Sequence, residues 1–163
     1  MATSKRILIT GATSGIGLDA ARQLIELGHE VHITGRDVIK IQVAIEDIQR
    51  PDRPKVQSHV FDLRDLNEVR AALPAVCAEH YNIVILNAGV MFPLQEKEFP
   101  QKVSHSFLAN ALGHAVLAEG IISAADTKVH FVTISSSLTR IIEGMKRIPR
   151  TVEEWEKKTA FEM

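Results

Sequence analysis

The sequence predicts an α/β chain built on a doubly wound parallel sheet of about five strands. Three observations predict it. Short apolar runs alternate with stretches whose apolar residues recur at helical spacing, in the order β-α-β-α-β-α-β-α-β. Such alternation implies parallel strands with helices on both faces. A glycine-rich stretch, Gly11-Ala-Thr-Ser-Gly15-Ile-Gly17, stands between the first strand and the first helix. Finally, Gly11, Gly35, Arg36, Asp62, Asn87 and Ser136 all fall just beyond predicted strand ends. Ligands of open parallel sheets lie there, outside the carboxyl ends of the strands.

The elements follow in order. Residues 7–9 are a short buried strand, and 18–27 carry Ala21, Leu24 and Ile25 at helical spacing. Gly28 ends that helix, and residues 31–34 form a second strand. Asp37 is a natural N-cap for a helix over 38–48, with Ile41, Ala44, Ile45 and Ile48 on one face. Pro51 and Pro54 mark a loop, and 56–61 a third strand. Residues 62–65 turn into a helix over 66–80 that buries Val69, Leu73, Val76 and Cys77 and is interrupted by Pro74. Residues 83–86 are a continuous apolar run, as a strand covered on both faces requires. A long helix over 101–125 takes Phe107, Leu108, Ala111, Leu112, Ala115, Leu117 and Ile121 as its apolar side. Residues 129–134 are a fifth strand, and 153–158 a charged helical tail.

The totals narrow the class. A chain of 163 residues is the size of one domain, so 1–163 is read as a single unit. Its 45% hydrophobic and 24% charged content is that of a water-soluble globular protein. A net charge of −1 gives no reason to expect nucleic acid or an anionic membrane as partner. No unbroken apolar run reaches the ~18 residues of a spanning helix. The first strand begins by about Lys5, which leaves no room for a signal peptide. Cys77 is the one cysteine, so no internal disulfide forms. A cytoplasmic protein fits these features.

The chemistry starts at the glycines. Gly11 takes a tight turn without a Cβ clash, and Gly15 lets a pyrophosphate approach the backbone. Gly17 lets the helix pack close to the sheet. First-turn N–H groups and the helix dipole then favour an anion. The spacing in Thr10-Gly11-x-x-x-Gly15-Ile16-Gly17 resembles the cofactor loop of the short-chain dehydrogenase/reductase family. Later strand ends resemble it too. They are Asp62-Leu63, Asn87-Ala88-Gly89 with Leu86 in place of the family's first Asn, and Ser136 after Val132-Thr-Ile-Ser, while Asn110 in Asn110-Ala-Leu-Gly113-His114 resembles the family's mid-helix Asn. The runs Val31-His-Ile-Thr-Gly-Arg36-Asp37 and Leu86-Asn-Ala-Gly-Val-Met91 resemble the branch of retinol dehydrogenases and WW-domain oxidoreductases.

That resemblance implies a Rossmann-type fold and a nicotinamide cofactor. It assigns Gly11, Thr13, Ser14, Gly15, Ile16, Gly17, Arg36, Asp62, Leu63, Asn87, Ala88 and Gly89 to cofactor binding. It makes Ser136 the residue that polarises a carbonyl or alcohol oxygen, with Ser135 and Ser137 leaving the register open by one. It gives Asn110 a water on a proton relay. Gly35 ends strand two without a carboxylate to repel a 2′-phosphate, and Arg36 offers a guanidinium to grip one. NADP is therefore expected over NAD. Asp37, one residue further, would favour NAD if the strand shifted, but it is better placed as a cap.

One departure is large. The family's Tyr-x-x-x-Lys is absent, and Tyr81, the one tyrosine, precedes strand four in a structural position. The pair would be due near Met163, so the chain reads as the N-terminal portion of such a protein. Two functions stay open: an oxidoreductase, or its cofactor-binding part, acting on a small carbonyl or alcohol; and a non-catalytic dinucleotide-binding or interaction protein, possibly homo-oligomeric. No metal is expected, because the seven histidines form no His-Glu-x-x-His and no Cys/His cluster. No Gly-x-Ser-x-Gly elbow or Gly-Lys-Ser/Thr loop supports a hydrolase or a nucleotide triphosphatase.

Overall fold

The computed structural model describes residues 3–90 and 104–135. Five strands alternate with four helices: β1 (Arg6–Thr10), α1 (Gly15–Glu26), β2 (Glu30–Gly35), α2 (Val38–Ile48), β3 (Gln57–Val60), α3 (Leu66–Cys77), β4 (Ile83–Leu86), α4 (His105–Ala124) and β5 (His130–Thr133). They form one parallel sheet in the order β3-β2-β1-β4-β5. The order reverses between β1 and β4, where the chain's phosphate-loop candidate emerges from β1.

Strand alternation explains why two separate cores form. Ile7 and Ile9 of β1 face one side and Leu8 the other, as a period of two dictates. On the first side Val31 and Ile33 meet Ala21 and Ile25 of α1 and Ile41, Ala44 and Ile48 of α2. On the second Val84 and Leu86 meet Val69 and Val76 of α3 and Leu117 and Ile121 of α4. Each fully buried aliphatic side chain contributes about 1.5–3 kcal/mol. The sheet is thus covered on both faces, as expected of a doubly wound fold.

Local signals hold. Asp37 Oδ1 accepts from the N–H groups of Ile39 and Lys40, capping α2. Gly28, at φ +86°, closes α1. The cap of α3 is Asp65, whose Oδ1 accepts from Asn67 and Glu68. Asp62 is therefore released from capping. Pro74 is accommodated in the last turn of α3.

Helix α4 differs from its predicted face. Leu108–Leu112 is a π-helical turn, in which the Gly113 N–H bonds the Leu108 carbonyl five residues back. The extra residue rotates everything after it by about 100°. Ala111 and Ala115, assigned to the apolar side, are exposed, and Phe107 is 36% exposed. Leu108, Leu117 and Ile121 are buried as expected, and Ala109, Gly113 and His114 join them. The 20 residues of α4 are also long and apolar enough to cross a membrane by length and composition, although the sequence holds no unbroken apolar run of that size. One face of this helix packs on the second core through Leu117 and Ile121. The tail predicted at 153–158 lies outside the described residues.

Candidate functional site

The loop after β1 is open where a pyrophosphate would need it open. Ser14 stands as N-cap of α1 with an extended backbone, and its side chain caps no N–H. No acidic residue occupies the first turn. Gly15 sits at φ +56°, and a Cβ there would meet nothing within 4 Å. Ser14, Gly15 and Ile16 are exposed. Uncapped first-turn N–H groups at the positive end of a helix dipole bind anions. This donor set fits a dinucleotide's pyrophosphate. Gly17 is needed for closeness: its Cβ would lie 2.4 Å from Asn87 Nδ2 and 2.8 Å from the Gly11 carbonyl. Gly11, at φ +65°, lies against Ala88 in the same way. Loop and β4 end are thus packed as one piece.

On the β2 side, Gly35 leaves room for Thr13, whose Cγ2 lies 2.8 Å from where a Cβ would stand. Arg36 follows, with its side chain 55% exposed and Nη1 4.0 Å from Asp62 Oδ2. Asp62 is engaged by a residue that sequence reasoning missed. The Arg64 N–H donates to Asp62 Oδ1 at 2.9 Å, and Arg64 Nε reaches both carboxylate oxygens at 3.0 Å. Burial opposes the Asp62 charge, but the Arg64 side chain and backbone, with Arg36 behind them, hold this carboxyl below its usual range. Leu63 is buried, and its carbonyl lies against Gly113 of α4, where a Cβ would approach to 2.1 Å.

On the β4 side, Asn87 is a strut. Its Nδ2 donates to the Thr10 carbonyl at 2.9 Å, and the N–H groups of Asn87 and Ala88 donate to Thr10 Oγ1. Gly89 is exposed beside Asn110. Asn110 leaves the π-helical turn and holds Val90 from both sides: Oδ1 accepts the Val90 N–H at 2.8 Å and Nδ2 donates to its carbonyl at 2.9 Å. Each end of the amide keeps one further hydrogen-bonding position, and the residue is exposed, so a water can still bind here. Ser136 lies outside the described residues. The sequence-predicted residues from Gly11 to Asn110 therefore converge on the carboxyl edge of β1, β2 and β4. Thr10, Arg64, Gly113 and His114 were missed. The available signals were a hydroxyl residue ending β1 and an Asn-x-x-Gly-His run in a helix.

Tyr81 is elsewhere. It precedes β4, at the opposite edge of the sheet, buried edge-on against His32. Its hydroxyl lies 2.9 Å from both His32 Nδ1 and His59 Nε2. Burial above all pushes its pKa up, and burial then His32 pushes His59 down. Glu30, His32 and Glu79 bring ligand atoms within 4.8 Å of one another there, but Arg6 already pairs with both carboxylates.

A parallel sheet with uncapped helix N–H groups at its switch point is the architecture of nucleotide-binding α/β proteins. The comparisons specify which. The family described as short chain dehydrogenase matches residues 5–145, and the chain belongs to that family of oxidoreductases. It is similar to retinol dehydrogenase 12 of Mus musculus, at 33% identity over 88% of this chain and 49% of that one. It also resembles short chain dehydrogenase rstn4 of Aspergillus nomiae, at 36% identity over 71% of this chain and 32% of the relative. It falls in the retinol-dehydrogenase-like branch. A metagenomic short-chain oxidoreductase solved in complex with NADP superposes with a TM-score of 0.69 and 29% identity, over 82% of this chain and 62% of that one. The chain spans about a third to a half of the length of these curated relatives.

Proposed function

We propose that this chain is the cofactor-binding part of an NADP(H)-dependent oxidoreductase acting on a small carbonyl or alcohol. The observation that carries this reading is the uncapped N-terminus of α1 flanked by Gly35, Arg36 and an Asp62 already engaged by Arg64. Residues 13–17 hold the pyrophosphate, and Arg36 meets the 2′-phosphate. Asp62 and Leu63 face the adenine. Asn87, Ala88 and Gly89 shape the opposite half. The cofactor, when bound, supplies hydride transfer. Ser136 polarises the substrate oxygen, and the Asn110 carbonyl holds a relay water. The cytoplasm is the proposed compartment.

A second reading is a dinucleotide-binding or interaction protein without turnover. What favours it is the sequence itself: the one tyrosine, Tyr81, is buried in the core, far from the carboxyl edge. Turnover of retinoids, steroids and aliphatic aldehydes separates the two. The purified chain is expected to bind NADPH but to turn over at least ~100-fold more slowly than a family enzyme, since a general acid contributes about 10²–10⁴. Rates at the family level would refute the second reading.

A further inference from the structure

Thr10 ends β1 with its hydroxyl beneath the end of β4. Its Oγ1 accepts the N–H of Asn87 at 2.9 Å and that of Ala88 at 3.0 Å. Both lone pairs are then in use. The hydroxyl proton has two acceptors in range: the Ile85 carbonyl at 3.5 Å and His114 Nε2 at 2.8 Å. The shorter contact decides, because an O–H donor bonds best at about 2.7–2.8 Å and a contact at 3.5 Å is the much weaker of the two. Thr10 therefore donates to His114. A ring nitrogen that accepts carries no proton, so the neutral imidazole keeps its proton on Nδ1. That atom lies 3.4 Å from the Asn110 carbonyl, one turn back in α4, and donates towards it.

The opposite tautomer fails on both sides. An Nε2–H would be a third donor to an oxygen whose lone pairs are filled. A bare Nδ1 would face the Asn110 carbonyl, acceptor against acceptor. His114 is buried, at 6% exposure, so water does not repair either fault. The π-helical turn is what brings this ring inward, as the rotation of α4 requires.

We infer that His114 is a positioning residue, which as its Nδ1–H tautomer locks the ends of β1 and β4 to the Asn110 carbonyl. Its functional consequence rests on the cofactor reading above. A dinucleotide crosses the switch point with one half on each side. Arg36 and Asp62 serve the half over β2 and β3. The Thr10–His114–Asn110 clamp lies under the other half, so its loss is felt by the nicotinamide end and not by the adenosine end.

Two measurements on the full chain test this. The first is a long-range ¹H–¹⁵N imidazole spectrum at neutral pH without cofactor, with His114 assigned by the signal lost in His114→Gln. The expected pattern is a protonated Nδ1 and an unprotonated Nε2. A protonated Nε2, or an averaged pattern, overturns the proposal. The second compares NADPH with 2′,5′-ADP, which carries only the adenosine half. His114→Leu is expected to weaken NADPH about tenfold, as loss of hydrogen bonds of ordinary strength would, and to leave 2′,5′-ADP unchanged. His114→Gln, which offers an acceptor and a donor, is expected to restore most of the loss. Equal losses for both ligands, or none, overturn the proposal. If His114→Leu does not fold, the tautomer of the wild-type ring still decides. Wild-type protein that binds neither ligand but shows the Nδ1–H form refutes the cofactor reading and leaves the clamp standing.

Discussion

Replacing Arg36 with alanine tests cofactor choice most directly. The side chain is 55% exposed, so its field is partly screened by water. Two unit charges at about 4 Å interact by ~1 kcal/mol in bulk water and ~4 kcal/mol near a protein surface. Among the described residues Arg36 pairs with Asp62, and Arg64 spans both of that carboxylate's oxygens. Arg36 is thus only weakly held at 4.0 Å and stays available to a phosphate. A charged hydrogen bond contributes ~1.5–3 kcal/mol, between those limits. At ~1.4 kcal/mol per decade, Arg36→Ala should weaken NADP(H) by roughly 10–150-fold. NAD(H), which lacks the 2′-phosphate, should hardly change. Titration of intrinsic or reduced-cofactor fluorescence with NADPH and NADH, on wild type and variant, reads both affinities. Equal losses for the two cofactors would refute the reasoning, as would tighter NADH binding by the wild type.

Other consequences follow from the same geometry. Gly113→Ala should destabilise the fold by ~3 kcal/mol or more, because its Cβ would lie 2.1 Å from the Leu63 carbonyl and backbone would have to move; an unchanged urea midpoint would count against this. Burial lowers the pKa of both His59 and His114 below the ordinary 6.5. Below that pH the unfolded chain binds more protons, so the melting temperature should fall from pH 7 to pH 5, and a flat profile would contradict it. Asp62, lowered from 3.8, keeps its contribution throughout that window. Strand β5 pairs with β4 on one side, and among the described residues no strand pairs with its other side. Val132 and Ile134 are 44% and 45% exposed there. Such an apolar edge invites pairing, so light scattering at tens of micromolar should give a mass above the monomer's 18.0 kDa.

Elements that depend on local chemistry were legible in the sequence. Asp37 caps α2, Gly28 closes α1, and Ile41, Ala44 and Ile48 line one face, because each signal acts within a few residues. The glycines were legible for the same reason, being demanded by a turn between neighbouring elements. Contacts between distant segments were not. Nothing near Asp62 announces that Arg64 will curl back on it rather than reach into solvent. Asn110 was visible as a residue type at a position, but its clamp on Val90 depends on a loop 20 residues away.

The π-helical turn is the instructive case. A reading at 3.6 residues per turn carries the apolar face of α4 from Leu108 through Leu112 to Ala115, and leaves His114 near the rim. One inserted residue turns the helix by about 100° and exchanges those positions. Ala115 goes out and His114 comes in. Hydrophobic periodicity alone does not ask for this, because Ala115 would be an acceptable core residue and a buried histidine is costly unless it is hydrogen-bonded. The cost is offset only once the ends of β1 and β4 are in place, with a Thr10 hydroxyl at 2.8 Å to occupy the ring. The helix register is therefore set by polar groups from another part of the chain. A pattern argument restricted to residues 101–125 has no access to them.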